Sequence, residues 1–158
     1  MVRLVEPNLP DLEFIALNMR PADKAEIYGI LPHDNPFLLA RQTADLCRGG
    51  AFGVVARRER PVAVMGFAER LPGVFDAFAY GTNEFRRVSM CLTRFALGHM
   101  KPALLDAGAH RLQADSRFDH TDAHRWLRLL GFRQESVMKS YGKNGADYIR
   151  FVALKEMF

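Results

Sequence analysis

The 158 residues fit one ordinary domain, since dividing them would leave two units of about 80 residues whose separate cores contribute only a few kcal/mol each. Apolar residues make up 49% of the chain and charged residues 25%, which excludes a disordered chain, a collagen-like repeat and a disulfide knot. The formal charge of +4 is unevenly spread: residues 1–50 carry five Lys and Arg against seven Asp and Glu, and residues 51–158 carry seventeen against eleven. Interspersed signs without a continuous basic stripe argue against a nucleic-acid surface and favour a small anionic ligand held in the second half.

In chain order, Val2-Arg3-Leu4-Val5 alternates as a short strand, and Pro7 and Pro10 mark entry to a helix over Asp11–Leu17. A second helix starts near Pro21-Ala22-Asp23, with proline at a first helical position and Asp23 favourable in the first turn. A third spans Pro36–Leu46 and stops at Gly49-Gly50. Ala51–Arg57 and Pro61–Glu69 read as strands joined by the charged turn Arg57-Arg58-Glu59-Arg60, and Val74–Tyr80 completes an antiparallel meander. A long helix from Glu84 carries Phe85, Val88, Leu92 and Phe95 at helical spacing, and Pro102 is expected to end or kink it.

Leu112-Gln113-Ala114 is a short buried strand, and Thr121–Leu130 is a helix stopped by Gly131. Gln134–Tyr141 and Asp147–Leu154 are strands flanking Gly142-Lys143-Asn144-Gly145, where Asn-Gly signals a hairpin. The resulting order, β, helices, βββ, α, β, α, ββ, is an α+β layout with a mixed central sheet flanked by helices, expected as a single domain over residues 1–158. Cys47 and Cys91 belong to no ligand motif and read as buried reduced thiols. The N-terminus lacks a signal-type apolar run and no stretch reaches membrane-spanning length, so a soluble protein of the cytoplasm, or one packaged from it, is expected.

The segment His110–Phe151 has a distinctive wording: a strand (HRLQAD), a loop, a helix ending in Leu-Gly-Phe over Trp126–Phe132, then a hairpin of the type Tyr141-Gly-x-x-Gly-x-Asp147. It resembles the C-terminal half of the GCN5-related N-acetyltransferase (GNAT) superfamily, and the upstream element order matches as well. The wording covers about 40 residues, and it is most similar to bacterial and phage GNAT-like proteins, including small internal virion proteins. The resemblance implies a fold in which the fourth strand splays from the fifth. Acetyl-CoA would lie in the gap, and amides at the next helix start would hold its pyrophosphate, as helix N-termini do in general. The splayed strand would be Val74–Tyr80, with Phe78 and Tyr80 beside the cofactor, and the phosphate loop would be Gly81–Cys91.

This chain departs from the family pattern in two places. Where the phosphate loop has Gln or Arg, two residues, a glycine, one residue and a second small residue, the chain reads Arg86-Arg87-Val88-Ser89-Met90-Cys91. Ser89 and Cys91 would stand at the small positions, and the cations of Arg86, Arg87 and Arg94 could compensate by bidentate phosphate contacts or form a basic face for a partner protein. The family's helix asparagine and its general-acid tyrosine are His120 and Leu127 here. Leucine cannot donate a proton, so any rate would rest mainly on proximity.

Glu69 and Asp115, at the ends of two central strands, are the candidate general bases, or else solvated strand-end carboxylates. Thr82 either hydrogen-bonds the thioester or caps the helix at Glu84. His120 and His124 are four apart beside Asp119 and Asp122, but with no third ligand in place no metal is expected, and His120 stands either near the cofactor or exposed at a helix start. Two functions follow: transfer of acetyl from acetyl-CoA to a small-molecule or peptide amine by direct attack, or a catalytically inactive structural protein, such as a virion component, acting through other virion proteins. Membrane partners are not expected, and nucleic acid is disfavoured.

Overall fold

The computed structural model describes residues 1–157. Seven strands form one sheet in the order β1-β2-β3-β4-β5-β7-β6, namely β1 Arg3–Val5, β2 Phe52–Arg57, β3 Pro61–Leu71, β4 Val74–Gly81, β5 Arg111–Arg117, β6 Arg133–Met138 and β7 Tyr148–Leu154. Every strand pair is antiparallel except β4 with β5. The helices are α1 Leu9–Leu17, α2 Pro21–Tyr28, α3 Pro36–Arg48, α4 Ser89–Phe95, α5 Lys101–Asp106 and α6 Thr121–Leu129. The expected mixed sheet flanked by helices is what forms. No helix among the described residues is long and apolar enough to cross a membrane.

The strands β2 and β3 are near-continuous apolar runs because both of their faces are covered, and successive side chains alternate between two cores. Val55 and Val64 pack with Leu12, Ile15, Leu39 and Ala40 under α1 and α3. Their neighbours Val54, Ala63 and Met65 pack with Val88, Leu92, Met100 and Leu104 under α4 and α5. Leu12 and Ile15 are fully buried, each contributing about 1.5–3 kcal/mol. Local signals set the helix starts: the Asn8 side chain accepts the Asp11 amide at 3.0 Å to cap α1, and Asn35 accepts the Phe37 and Leu38 amides at 2.9 and 3.2 Å to cap α3.

Three expectations are modified. The helix after Glu84 begins as a 3₁₀ turn, Phe85–Arg87, and only then becomes α4. Pro102 does not end it: a π turn, Ala96–Met100, precedes α5, and the Lys101 amide reaches back to the Ala96 carbonyl. That slack accommodates a residue with no amide hydrogen, so the chain stays helical through the proline. The Asn-Gly segment is not a two-residue hairpin either. The strand β6 stops at Met138, and Asn144, at φ 58°, sits in a 3₁₀ turn inside a wider loop before β7. Cys47 and Cys91 are free and half-buried.

Candidate active site

The site begins with how little β4 and β5 share. They pair over only three positions, Val74 with Arg111, Phe75 with Leu112 and Asp76 with Gln113. Beyond Asp76, β4 stays paired with β3 as far as Gly81, while β5 stays paired with β7 as far as Arg117. The sheet therefore splits into two halves that diverge. The closed end is pinned by polar rungs: Gln113 Nε2 donates to Asp76 Oδ1 at 2.9 Å, and Arg70 Nε donates to Asp76 Oδ2 at 2.7 Å.

A cavity of about 320 Å³ occupies the split, at the lower end of the range for ligand pockets. Its walls include Phe67 and Phe78 from the sheet, Met100 and Leu104 from the helical side, and Trp126 and Leu127 from α6. Gly66 makes the approach possible, because a Cβ there would lie 2.2 Å from the Phe52 carbonyl and 2.7 Å from the Phe78 ring. Trp126 is fixed by a 2.8 Å hydrogen bond from Nε1 to Thr93 Oγ1 and by edge contact with Phe85. The Arg20 guanidinium lies 4.1 Å over the same Phe85 ring.

At the open end, α2 contributes two acidic residues to the wall, Asp23 and Glu26. Asp23, 2% exposed, accepts from the Gly81 amide at 2.8 Å and from His120 Nε2 at 2.7 Å, and forms an ion pair with the Arg20 guanidinium, whose Nε lies 2.8 Å away. Three residues on, and so on the same helix face, Glu26 accepts from Ser116 Oγ at 2.6 Å and from the Arg117 amide at 2.9 Å. One helix thus grips the end of β4 with one carboxylate and the end of β5 with the other. Burial is the main influence on Glu26 and pushes its carboxyl above the ordinary range. For His120 burial opposes the charge, but the Asp23 hydrogen bond and the nearby charges of Glu26 and Asp23 outweigh it and hold the imidazole above its ordinary value.

Of the residues expected at the site, Phe78, Asp115 and His120 line the cavity. Both Asp115 oxygens are held at 2.8 Å by Arg150, whose guanidinium is held correspondingly more basic than usual. Glu69 is exposed in the β3–β4 hairpin, where it accepts the Gly73 amide at 3.0 Å. Tyr80 belongs to the core under α1 and α3, its hydroxyl 2.7 Å from Thr43 Oγ1 and made less acidic by burial. Thr82 accepts the Glu84 amide at 3.3 Å, as a cap would. Arg86 and Arg87 are exposed, Arg87 facing Glu84 at 3.7 Å. Ser89 Oγ donates to the Arg86 carbonyl at 3.0 Å, and Cys91 is half-buried on the first turn of α4. These loop residues do not line the cavity.

His124 is turned away from His120 to the Arg117 carbonyl at 2.9 Å, and burial lowers its pKa. Among the described residues, no group of His, Cys, Asp or Glu is placed to hold a metal ion. Neither Glu26 nor a buried Asp23 was foreseen from sequence. An Asp in a first helical turn reads as a solvated dipole partner, and its true partners lie 58 and 97 positions away. The available signal was the i, i+3 carboxylate pair beside Ile27 on a short helix.

No protein-family model matches the chain, and no curated protein matches it in sequence. Solved structures do match in shape. A ribosomal-protein-alanine N-acetyltransferase from Brucella melitensis superposes with a TM-score of 0.73 at 17% identity, over 98% of this chain and 99% of that one. A GNAT-superfamily phosphinothricin acetyltransferase from Sinorhizobium meliloti, in complex with acetyl-CoA, gives 0.73 at 16% identity over 97% and 88%. A ribosomal-protein-S18-alanine N-acetyltransferase from Escherichia coli gives 0.69 at 15% over 98% and 94%. At such identities the likeness speaks for architecture, and the split sheet, its flanking helices and the order of its elements are those of the GNAT acetyltransferase fold.

Proposed function

We propose that this chain is an N-acetyltransferase that moves an acetyl group from acetyl-CoA to a primary amine of a small molecule or peptide. The observation that carries the reading is the separation of β4 from β5 after three paired residues, which opens an apolar cavity through the sheet. A thioester arm fits such a slot: its methylene groups favour the apolar walls, and the unpaired edge of β4 at Ala77–Ala79 offers backbone groups to its amides. The acetyl-CoA bound by the Sinorhizobium meliloti neighbour and the alanine amine named for the Brucella melitensis one agree with this class.

The diphosphate would rest at the start of α4, near the Ser89 and Cys91 backbone, where no side chain caps the helix. Arg86 and Arg87 stand exposed at the same end and would supply the countercharge. The wall of the slot carries Leu127 and no tyrosine. The hydroxyl of Tyr80 is bonded to Thr43 and that of Tyr148 to the Glu26 carbonyl. The departing thiolate therefore takes its proton from the reacting amine nitrogen or from water, and the enzyme contributes chiefly by holding amine and thioester together.

Trp126 is the single tryptophan and forms part of the cavity wall. Titration with acetyl-CoA should change its fluorescence in a saturable way, with matching heat in calorimetry and a dissociation constant in the micromolar range. Neither signal at millimolar ligand would overturn the proposal and leave the fold to a structural role, such as a virion component.

A further inference from the structure

We propose that Glu26 is the proton acceptor for the incoming ammonium group, and that the buried Asp23–His120 pair positions the helix carrying it; this rests on the acetyl-transfer reading above. Four carboxylates line the cavity, Asp23, Glu26, Asp76 and Asp115, and their hydrogen bonds separate them. Asp115 has both oxygens engaged by Arg150. Asp76 has both engaged, by Gln113 and Arg70. Glu26 receives Ser116 and Arg117 on Oε2 alone, so Oε1 remains to accept a proton from the cavity that Glu26 lines. Its side chain is half-buried, reachable from the slot yet held at a fixed place by two donors from β5.

The surroundings suit the task. Facing Glu26 are Asp23 on its own helix, His120 at the start of α6, Ser116 and Arg117 on β5, and Tyr148 on β7, whose hydroxyl donates to the Glu26 carbonyl at 2.5 Å. Burial brings the carboxyl closer to the working pH, where a general base is most effective. Asp23 cannot share the role, because Oδ2 takes the Gly81 amide, Oδ1 takes His120 Nε2, and the Arg20 cation is ion-paired beside them. It fixes α2 against Gly81 and His120, and so sets where Glu26 stands.

The step balances as follows. The ammonium gives one proton to Glu26 Oε1, and the freed nitrogen lone pair forms a bond to the thioester carbonyl carbon. On collapse the carbon–sulfur bond breaks, its electron pair leaves on sulfur, and the second nitrogen proton goes to that thiolate. Glu26 then returns its proton to solvent.

The test follows thiol release from acetyl-CoA with butylamine and with an alanine-initiated tripeptide as probes, between about pH 6 and 10. Glu26→Gln should lower kcat/KM by about 100-fold or more at neutral pH. The deficit should shrink toward high pH, where the amine is already deprotonated. Acetyl-CoA affinity, read from Trp126, should stay within about twofold. Glu26→Asp, which keeps the carboxylate, should show a smaller deficit with the same pH shape, whereas Asp23→Asn should lower the rate without removing the pH dependence. An unchanged rate in Glu26→Gln, a deficit equal at every pH in a folded variant, or no turnover of either amine by wild-type protein that binds acetyl-CoA would overturn the assignment. Failure of wild-type protein to bind acetyl-CoA would instead defeat the reading on which it rests.

Discussion

Asp23 Oδ1 and His120 Nε2 lie 2.7 Å apart, both side chains buried, and they join two helices 97 residues distant in sequence. His120 Nδ1 accepts the Ala123 amide at 3.4 Å, so the same ring caps α6 and anchors α2. With Nδ1 accepting, Nε2 carries the hydrogen and donates to the carboxylate. The pair lies at the end of β4, where Asp23 also accepts the Gly81 amide.

Removing one member leaves the other buried and unpaired. Asp23→Ala also strands the Gly81 amide and Arg20, and should cost about 3–5 kcal/mol of unfolding free energy in urea titrations. His120→Asn retains a capping acceptor and should cost less. If Asp23→Ala unfolds like wild type, α2 is not held by this pair.

The charges on Glu26 and His120 make stability depend on pH in a defined direction. Both are raised in the fold, from ordinary values of 4.5 and 6.5. A group that binds its proton more tightly when folded stabilises the fold at low pH, and that contribution is lost as pH rises through the folded value. The melting temperature of wild type relative to Glu26→Gln should therefore fall from about pH 4.5 upward. His124, lowered by burial, works in the opposite sense below its ordinary value of 6.5, and it is common to both proteins in this comparison. A difference that stays constant across the range would mean that Glu26 ionises as it does in the unfolded chain.

The strands β2, β3 and β7 were legible because each is a short apolar run bounded by turn residues, a mark that local composition carries by itself. The stop at Gly131, with φ 98°, follows local chemistry and was equally legible. The site was not, because each member draws its meaning from distant chain. Glu69 looked like a strand-end base and holds its own hairpin amide four residues on. Glu26 carries no local mark of its own, and acquires its environment only when β5 arrives 90 residues later.

The exposed pair Arg86 and Arg87 offers a direct test of where the diphosphate rests. Each substitution by alanine should weaken acetyl-CoA binding by roughly tenfold if its guanidinium meets phosphate. Wild-type affinity should also fall with added salt, since exposed charges are screened. Calorimetric affinities unchanged in both variants would move the phosphate site elsewhere.

Pro102 separates two causes of the π turn. If proline alone forced it, Pro102→Ala would restore a regular α-helix and rotate every later residue by about 100° around the axis. Met100 and Leu104, now 6% and 3% exposed, would then leave the core beneath β3 and β4. If packing of those two residues sets the helix phase, the π turn persists without the proline. The variant then gains an amide donor and loses a poor helix former. Because buried Leu92, Met100 and Leu104 all face the same core across the turn, the second outcome is expected. Pro102→Ala should raise unfolding free energy by about 1–3 kcal/mol and leave acetyl-CoA affinity unchanged. A loss of stability together with a loss of binding would show that the proline itself shapes this wall of the cavity.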